Sequence, residues 1–468
     1  MANPVKYAHA RIIPLVSSAS VTALVKNWLP PLFYSALLLS PISIDLFNID
    51  NHYIFEIPLI ISVLVGLFLN DHIFALFRKA LHLRTPTLIA VYYITLMFVI
   101  GSLAGNGVGA AYSDYRANLV VVFGFLFGRE AIRSNPLILV RLGLSAGFLS
   151  ATYFIIKYGL TGELYRKYIT SYLALTVAAI VGSWLGRRYL SLTALPIIIF
   201  LSVVSFYRQY WIAAFITVAL ATISWTGSSS ALKRALYSLA LFGAVVGAIL
   251  TLLQQPAVIN FFNTNEQFQG QIISKTQTLL NGLSSGGINE IASSASTDSS
   301  DATRLNYFSI MINHPLDLLI PHGLGHASFG ATGKLFPRYF QNYSQQGGTL
   351  DSLIFYIAFH YGLLVSIALM SWMLFRLKIC IRRCGIVFSL LAYFLLWLIL
   401  LFDGTQAAVI LEAFWFGVFV SVLFYPLQMR GNLQMKLSQS KGYLSRGGLN
   451  DLHKRMAQNQ ASYIDNVL

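Results

Sequence analysis

The sequence predicts an all-α polytopic membrane protein of about twelve transmembrane helices, each an apolar run of roughly 17 to 25 residues, with one large outer loop holding short helices between spans nine and ten. Three observations predict it. Of the 468 residues, 56% are hydrophobic and only 10% charged, with a mean hydropathy of +0.66, whereas a soluble domain carries about a quarter charged residues. Basic residues gather on alternate connectors between the apolar runs. A single sizeable polar stretch, from Gln254 to Gly348, interrupts the pattern.

In chain order the candidate spans are 28–47, 54–70, 87–105, 112–128, 138–157, 168–186, 189–206, 209–226, 235–253, 350–375, 385–402 and 407–426. Only Phe206, Tyr207 and Arg208 separate the seventh from the eighth. Alternate connectors carry Lys6, Arg11 and Lys26; Arg78, Lys79 and Arg84; Arg129, Arg133 and Arg141; Arg187 and Arg188; Lys233 and Arg234; and Arg376, Lys378, Arg382 and Arg383, before a basic tail. By the positive-inside rule both termini are cytoplasmic, and the insert lies outside with Asp45, Asp50 and Asp114.

Four regions follow: residues 1–253 with nine spans, the loop at 254–349, three further spans at 350–426, and a cytoplasmic tail at 427–468. Within the insert, 284–300 is rich in Ser, Gly, Asn and Asp and reads as a loop. From Thr303, the spacing of Tyr307, Phe308, Met311 and Ile312 predicts a short amphipathic helix that Pro315 ends, with Arg304 near its start. The N-terminal stretch through Lys26 reads as part of a retained anchor. Cys380 and Cys384 fall in a basic cytoplasmic turn as reduced thiols, without further ligands for zinc. The net charge of +15 is dispersed over connectors and tail, which excludes a nucleic-acid-binding surface.

Arginine at the edge of a span needs a carboxylate, a carbonyl or an anionic ligand. Arg116, Arg208 and Arg304 lie on the outer side, and a guanidinium fork suits phosphate; snorkelling to headgroups or pairing with Asp114 or Asp351 is the alternative for each. Tyr207 stands beside Arg208 and is taken with the substrate-binding residues. Asp351 opens the tenth span, either as a general base, as a partner fixing a guanidinium, or as ordinary helix N-terminal stabilisation. His314, His322 and His326 lack the spacing of a metal site, and one of them can serve in proton transfer or substrate binding. Glu56, Glu130, Arg141, Asp403 and Glu412 read as helix-terminal charges.

Three local patterns carry a family resemblance. Ser205-Phe206-Tyr207-Arg208-Gln209-Tyr210-Trp211 resembles an arginine-containing turn between two helices. Thr303-Arg304, Asn313-His314-Pro315-Leu316 and Gly323-Leu324-Gly325 resemble a loop arginine with its downstream Pro-Leu and Gly-x-Gly pattern. Asp351-Ser352 followed by Gly362-Leu363-Leu364 resembles the opening of the span after the loop. In order and placement the chain resembles the O-antigen ligase and O-antigen polymerase superfamily, bacterial inner-membrane glycosyltransferases with a large periplasmic loop. Ligases typically carry a His-Asn pair where this chain has Asp351-Ser352, so the polymerase branch is the better match.

The resemblance implies an inverting, metal-independent transfer at the periplasmic face of the bacterial inner membrane, without a cofactor. Donor and acceptor are glycans linked to a polyprenol through pyrophosphate. Arg208 and Arg304 then bind pyrophosphate, Arg116 contributes from outside, and Asp351 deprotonates the acceptor or orients an arginine. Membrane lipids and a chain-length regulator protein are the other partners it implies. Two alternatives stand beside it: a ligase passing finished polymer to a lipid A core, and, from another class, a secondary transporter or lipid-linked oligosaccharide flippase.

Overall fold

The computed structural model describes residues 27–35, 72–80, 85–161, 172–185, 188–205, 213–220, 240, 307–325, 352–402 and 410–426. The fold is all-α, with no strand among the described residues. In chain order the helices are α1 (His72–Ala80), α2 (Thr85–Leu103), α3 (Val108–Ser134), α4 (Leu137–Thr161), α5 (Tyr172–Trp184), α6 (Arg188–Ser205), α7 (Leu353–Tyr361), α8 (Leu363–Cys384), α9 (Ile386–Phe402) and α10 (Ile410–Phe424). Shorter helical runs occupy 27–35, 213–220 and 307–313. The expected spans 54–70 and 235–253, bar the helical residue 240, lie outside the described residues, as do 254–306 and the tail from 427.

Helices α2, α4, α5, α6, α9 and α10 begin and end within a few residues of the apolar runs that predict them. Among the described residues, α2 and α8 are long and apolar enough to cross a membrane by length and composition. Three elements differ from expectation. The segment read as a connector around Arg78 and Lys79 is helix α1, which buries Ile73, Leu76 and Ala80 on one side and exposes both cations. The single run expected at 350–375 is two helices, because Gly362 breaks it at a φ of 93°. Beyond the break α8 continues to Cys384, so Cys380 and Cys384 sit on its last two turns rather than in a turn, and both thiols are buried.

Small residues bring the helices together. Gly124 and Gly128, one turn apart on α3, lie against the Phe414 backbone and against Val418 and Ser421 of α10, and Gly417 of α10 lies against Val121 and Phe125 in return. A Cβ at any of the three would collide with the partner helix, which is the small-residue contact that lets apolar helices approach closely. Hydroxyls add interhelical bonds inside the bundle: Ser35 donates to the Leu142 carbonyl at 3.1 Å, and Thr176 pairs with Thr217 at 2.8 Å.

Large apolar side chains also face outward. Leu88, Ile89 and Tyr92 on α2, Ile155 and Ile156 on α4, Leu364, Ile367 and Phe375 on α8, and Leu390 and Phe394 on α9 are exposed. Cations collect at one end. Arg129 and Arg133 flank Glu130 at 3.0 and 3.7 Å near the end of α3, and Arg383 at the end of α8 donates to the Pro426 carbonyl at 3.0 Å. Arg141 binds Asn27, and Glu412, read as a helix-terminal charge, is in the first turn of α10 yet buried.

Candidate functional site

The site grows from the break between α7 and α8. A helix leaves its last carbonyls and first amides unbonded, and a break inside an apolar bundle must satisfy them from elsewhere. Here the insert does so. His322 N–H donates to the Phe359 carbonyl at 3.1 Å and Gly323 N–H to the His360 carbonyl at 3.3 Å, while the Leu318 carbonyl accepts from Leu363 N–H at 2.7 Å. The Tyr361 carbonyl accepts from the Tyr93 hydroxyl of α2 at 2.9 Å. The imidazole of His360, fully buried, reaches the Gly323 carbonyl through Nδ1.

The same stretch is bonded to α2 and to the turn after it. Leu324 N–H donates to the Met97 carbonyl at 2.8 Å, and the Asn106 amide donates to the carbonyls of His322 and Leu324, both at 3.3 Å. The approach is so close that a Cβ on Gly101 would collide with the Leu324 carbonyl, and one on Gly323 with the Gly101 backbone. Gly323 and Gly325 both adopt positive φ, 74° and 119°, a region open to glycine without steric cost.

Asp114 closes the seat. Its side chain is 4% exposed, and its Oδ2 accepts from Gly325 N–H at 3.2 Å while the Tyr356 hydroxyl bonds the same carboxylate. Asn118, one turn along α3, donates to the Tyr356 oxygen at 2.9 Å and to the Asp114 carbonyl at 2.7 Å. A chain of bonds thus runs from Gly325 through Asp114 to Tyr356, whose own N–H bonds the Ser352 carbonyl at 2.9 Å. Ser352 is the N-cap of α7, its hydroxyl accepting from Phe355 N–H. Gly325 and Tyr356, the one before and the other after residues 326–351, thus meet at the same carboxylate.

Of the residues singled out in the sequence, Asp351, Arg208, Arg304, Tyr207 and His326 lie outside the described residues. Ser352 caps α7, and no acidic residue falls in the first turn of that helix. Arg116 is half-buried on α3, its guanidinium 5.8 Å from the centre of the Tyr112 ring; it stands two residues from Asp114, hence on another face of the helix. His314 pairs with Asp317 at 3.2 Å in an exposed position. His322 belongs to the seat: its ring packs 4.5 Å from Phe359 and its Nε2–H donates to the Asp317 carbonyl at 3.2 Å. Burial holds its pKa below the usual histidine value, against the opposing bond to the Asp317 carbonyl and the Asp317 charge.

The predicted amphipathic helix is present at 307–313 and stops before Pro315. Its buried face is Tyr307 and Ile310, with Tyr307 stacked 4.6 Å from Phe355, whereas Ile312 turns outward. Asp114, Asn118, Tyr356 and His360 escaped the sequence reading as site residues. Asp114 carried a signal, since a carboxylate inside an apolar run is costly without a purpose. His360 and Tyr356 carried a weaker one: polar groups four apart on one face of an otherwise apolar helix.

The Asp114 latch makes a prediction. Asp114→Ala leaves Gly325 N–H and the Tyr356 hydroxyl without their acceptor, which costs about 1–3 kcal/mol per buried unsatisfied group; Asp114→Asn keeps an oxygen for Gly325. Hydrogen exchange at Leu324 and Gly325 is expected to quicken ten-fold or more in the alanine variant and far less in the asparagine variant. Equal exchange in both would disprove the latch. Comparison with known protein families, with curated proteins and with solved structures finds no match to this chain.

Proposed function

We propose that the chain is a multi-pass protein of the bacterial inner membrane, with both termini cytoplasmic, that polymerises lipid-linked oligosaccharide units at the periplasmic face. The acceptor hydroxyl attacks the anomeric carbon of the donor glycan from the face opposite its pyrophosphate. The new C–O bond forms as the bond to pyrophosphate breaks, polyprenyl diphosphate departs, and the hydroxyl proton passes to Asp351. Arg208 and Arg304 take up the charge that develops on the leaving group, the task of a preorganised electrostatic site, and Arg116 adds to the positive potential. No metal or cofactor enters the reaction.

One observation carries this reading: the insert is bonded into the helices at Asp114, whose carboxylate also holds Tyr356, so that His326 and Asp351 adjoin in sequence Gly325 and Ser352, the two ends of that chain of bonds. A late polar insert fastened to the bundle, with a candidate base one residue before the helix that holds it, suits an enzyme that closes over a lipid-borne substrate. The orientation has support too. Helices α3 and α10 pack side by side in the same direction, Phe123 against Phe414 and Phe125 against Phe424, as alternation over the expected spans requires. Arg129 and Arg133 of α3 and Arg382 and Arg383 of α8 lie at the end away from the insert, in keeping with the positive-inside rule.

The break at Gly362 is the observation that favours a transporter, since interrupted helices hold substrates in many carriers. In this chain the broken ends are bonded to the insert and to Tyr93, which leaves less for a substrate to bind. A ligase differs only in its acceptor, and a product ladder of repeat units separates polymerase from the single shift of a ligase. Asp351→Asn tests the base: turnover falls by about 10²–10⁴ while donor binding persists. Lost donor binding instead assigns Asp351 to orienting an arginine.

A further inference from the structure

We propose that residues 316–324 form a re-entrant lip in the outer leaflet, its inner edge bonded to the bundle and its outer edge, Leu316, Leu319 and Ile320, in contact with the acyl chains of the bilayer. The proposal rests on the reading of the bundle as membrane-spanning and goes beyond it, because the sequence assigns this segment to a loop outside the membrane.

Depth is the first argument. From Leu363 to Arg382 the helix α8 is about 28 Å long at 1.5 Å per residue, close to the roughly 30 Å of a hydrocarbon core. With Arg376, Lys378, Arg382 and Arg383 all toward the inner side, Leu363 stands at the outer boundary or below it. Leu318 is bonded to that residue, so the segment lies at the hydrocarbon boundary and not in bulk water. Met97, which holds Leu324, lies about 9 Å below the Leu103 end of α2. The chain therefore descends past the end of a spanning helix.

The second argument is the division of polar and apolar groups. Irregular backbone is tolerated at membrane depth only where protein satisfies it, and the amides of His322, Gly323, Leu324 and Gly325 all donate to the bundle. The large apolar side chains face away: Leu316 is 75% exposed, Ile320 69% and Leu319 39%, and the Leu319 carbonyl lies against Gly362, just before Leu364 at 66% and Ile367 at 50% on α8. Such a patch belongs against an apolar partner, and its junction with the outward face of α8 makes that partner lipid. The only carboxylate of the segment, Asp317, is paired with His314 at 3.2 Å on the exposed rim, a position suited to the headgroup level.

The test uses nitroxide labels on single cysteines at Leu316, Ile320, Ile367 and Phe375 of the full chain in phospholipid vesicles, with collision rates for oxygen and for a nickel chelate. Cys380 and Cys384 are buried, and wild-type protein carried through the same labelling reaction controls for their reaction. Labels at 316 and 320 are expected to meet oxygen several-fold more than nickel, like those at 367 and 375. Nickel-rich collisions at 316 and 320 with oxygen-rich ones at 367 and 375 overturn the lip alone. Shielding of 316 and 320 from both reagents also overturns it, by showing cover from protein, and nickel-rich collisions at all four overturn the membrane reading as well.

Discussion

Gly101→Ala unseats the insert without unfolding the bundle. The added Cβ would strike the carbonyl oxygen, carbonyl carbon and amide nitrogen of Leu324, all backbone atoms that cannot swing aside as a side chain can. The seat must shift, and with it go the bond from Leu324 N–H to Met97 and those from Asn106 to His322 and Leu324. At about 1 kcal/mol net for each bond, the loss is about 2–4 kcal/mol, local to 322–325. Hydrogen exchange there is expected to rise by about 30-fold or more, with helix content and the exchange of α3 unchanged. Gly109→Ala is the control, because a Cβ at Gly109 meets nothing within 4 Å. Wild-type exchange in Gly101→Ala would contradict the seat directly.

Arg208→Ala and Arg304→Ala are each expected to lower polymer formation by about 10²–10³, the usual cost of removing one donor to a developing anion, while protein levels persist. Arg→Lys at either position is expected to restore little of it. An ammonium keeps the charge but cannot offer two parallel N–H groups to one phosphate. Long ladders from both alanine variants would remove the pyrophosphate role from these residues and leave them as headgroup anchors. The two sets of variants also differ from each other: Gly101→Ala loosens the seat, whereas the arginine variants leave exchange at 322–325 untouched.

Much of the helical order was legible because its signal is local. Runs such as Tyr172–Trp184 and Ile386–Leu401 are apolar and carry no charge, and composition alone marks them. The helix at 307–313 was legible from its spacing and from Pro315. The break at Gly362 was not, since Tyr361-Gly362-Leu363 sits inside an unbroken apolar run and nothing in hydropathy signals a positive φ. Helix α1 was missed for the opposite reason: it is short and ends in Arg78-Lys79, which read as a connector.

The seat was illegible for a different physical cause. Its bonds join backbone groups far apart in sequence, Leu324 with Met97 and His322 with Phe359, and backbone bonds leave no residue-type signature beyond the glycines that permit close approach. Gly323 and Gly325 were noticed as a Gly-x-Gly pattern, but their partner Gly101 was not. Asp114 stood in plain view as a carboxylate at the head of an apolar helix and was read as a partner for arginine. Its carboxylate instead holds the Gly325 amide and the Tyr356 hydroxyl, so it acts through the loop it fastens.

The most direct test of the account is reconstitution of the purified chain in liposomes with a polyprenyl-diphosphate-linked oligosaccharide and a metal chelator. The account predicts a ladder of repeat units with inverted anomeric linkages and one polyprenyl diphosphate released for each linkage formed. Transfer of intact lipid-linked oligosaccharide between leaflets, with no new glycosidic bond, would contradict it.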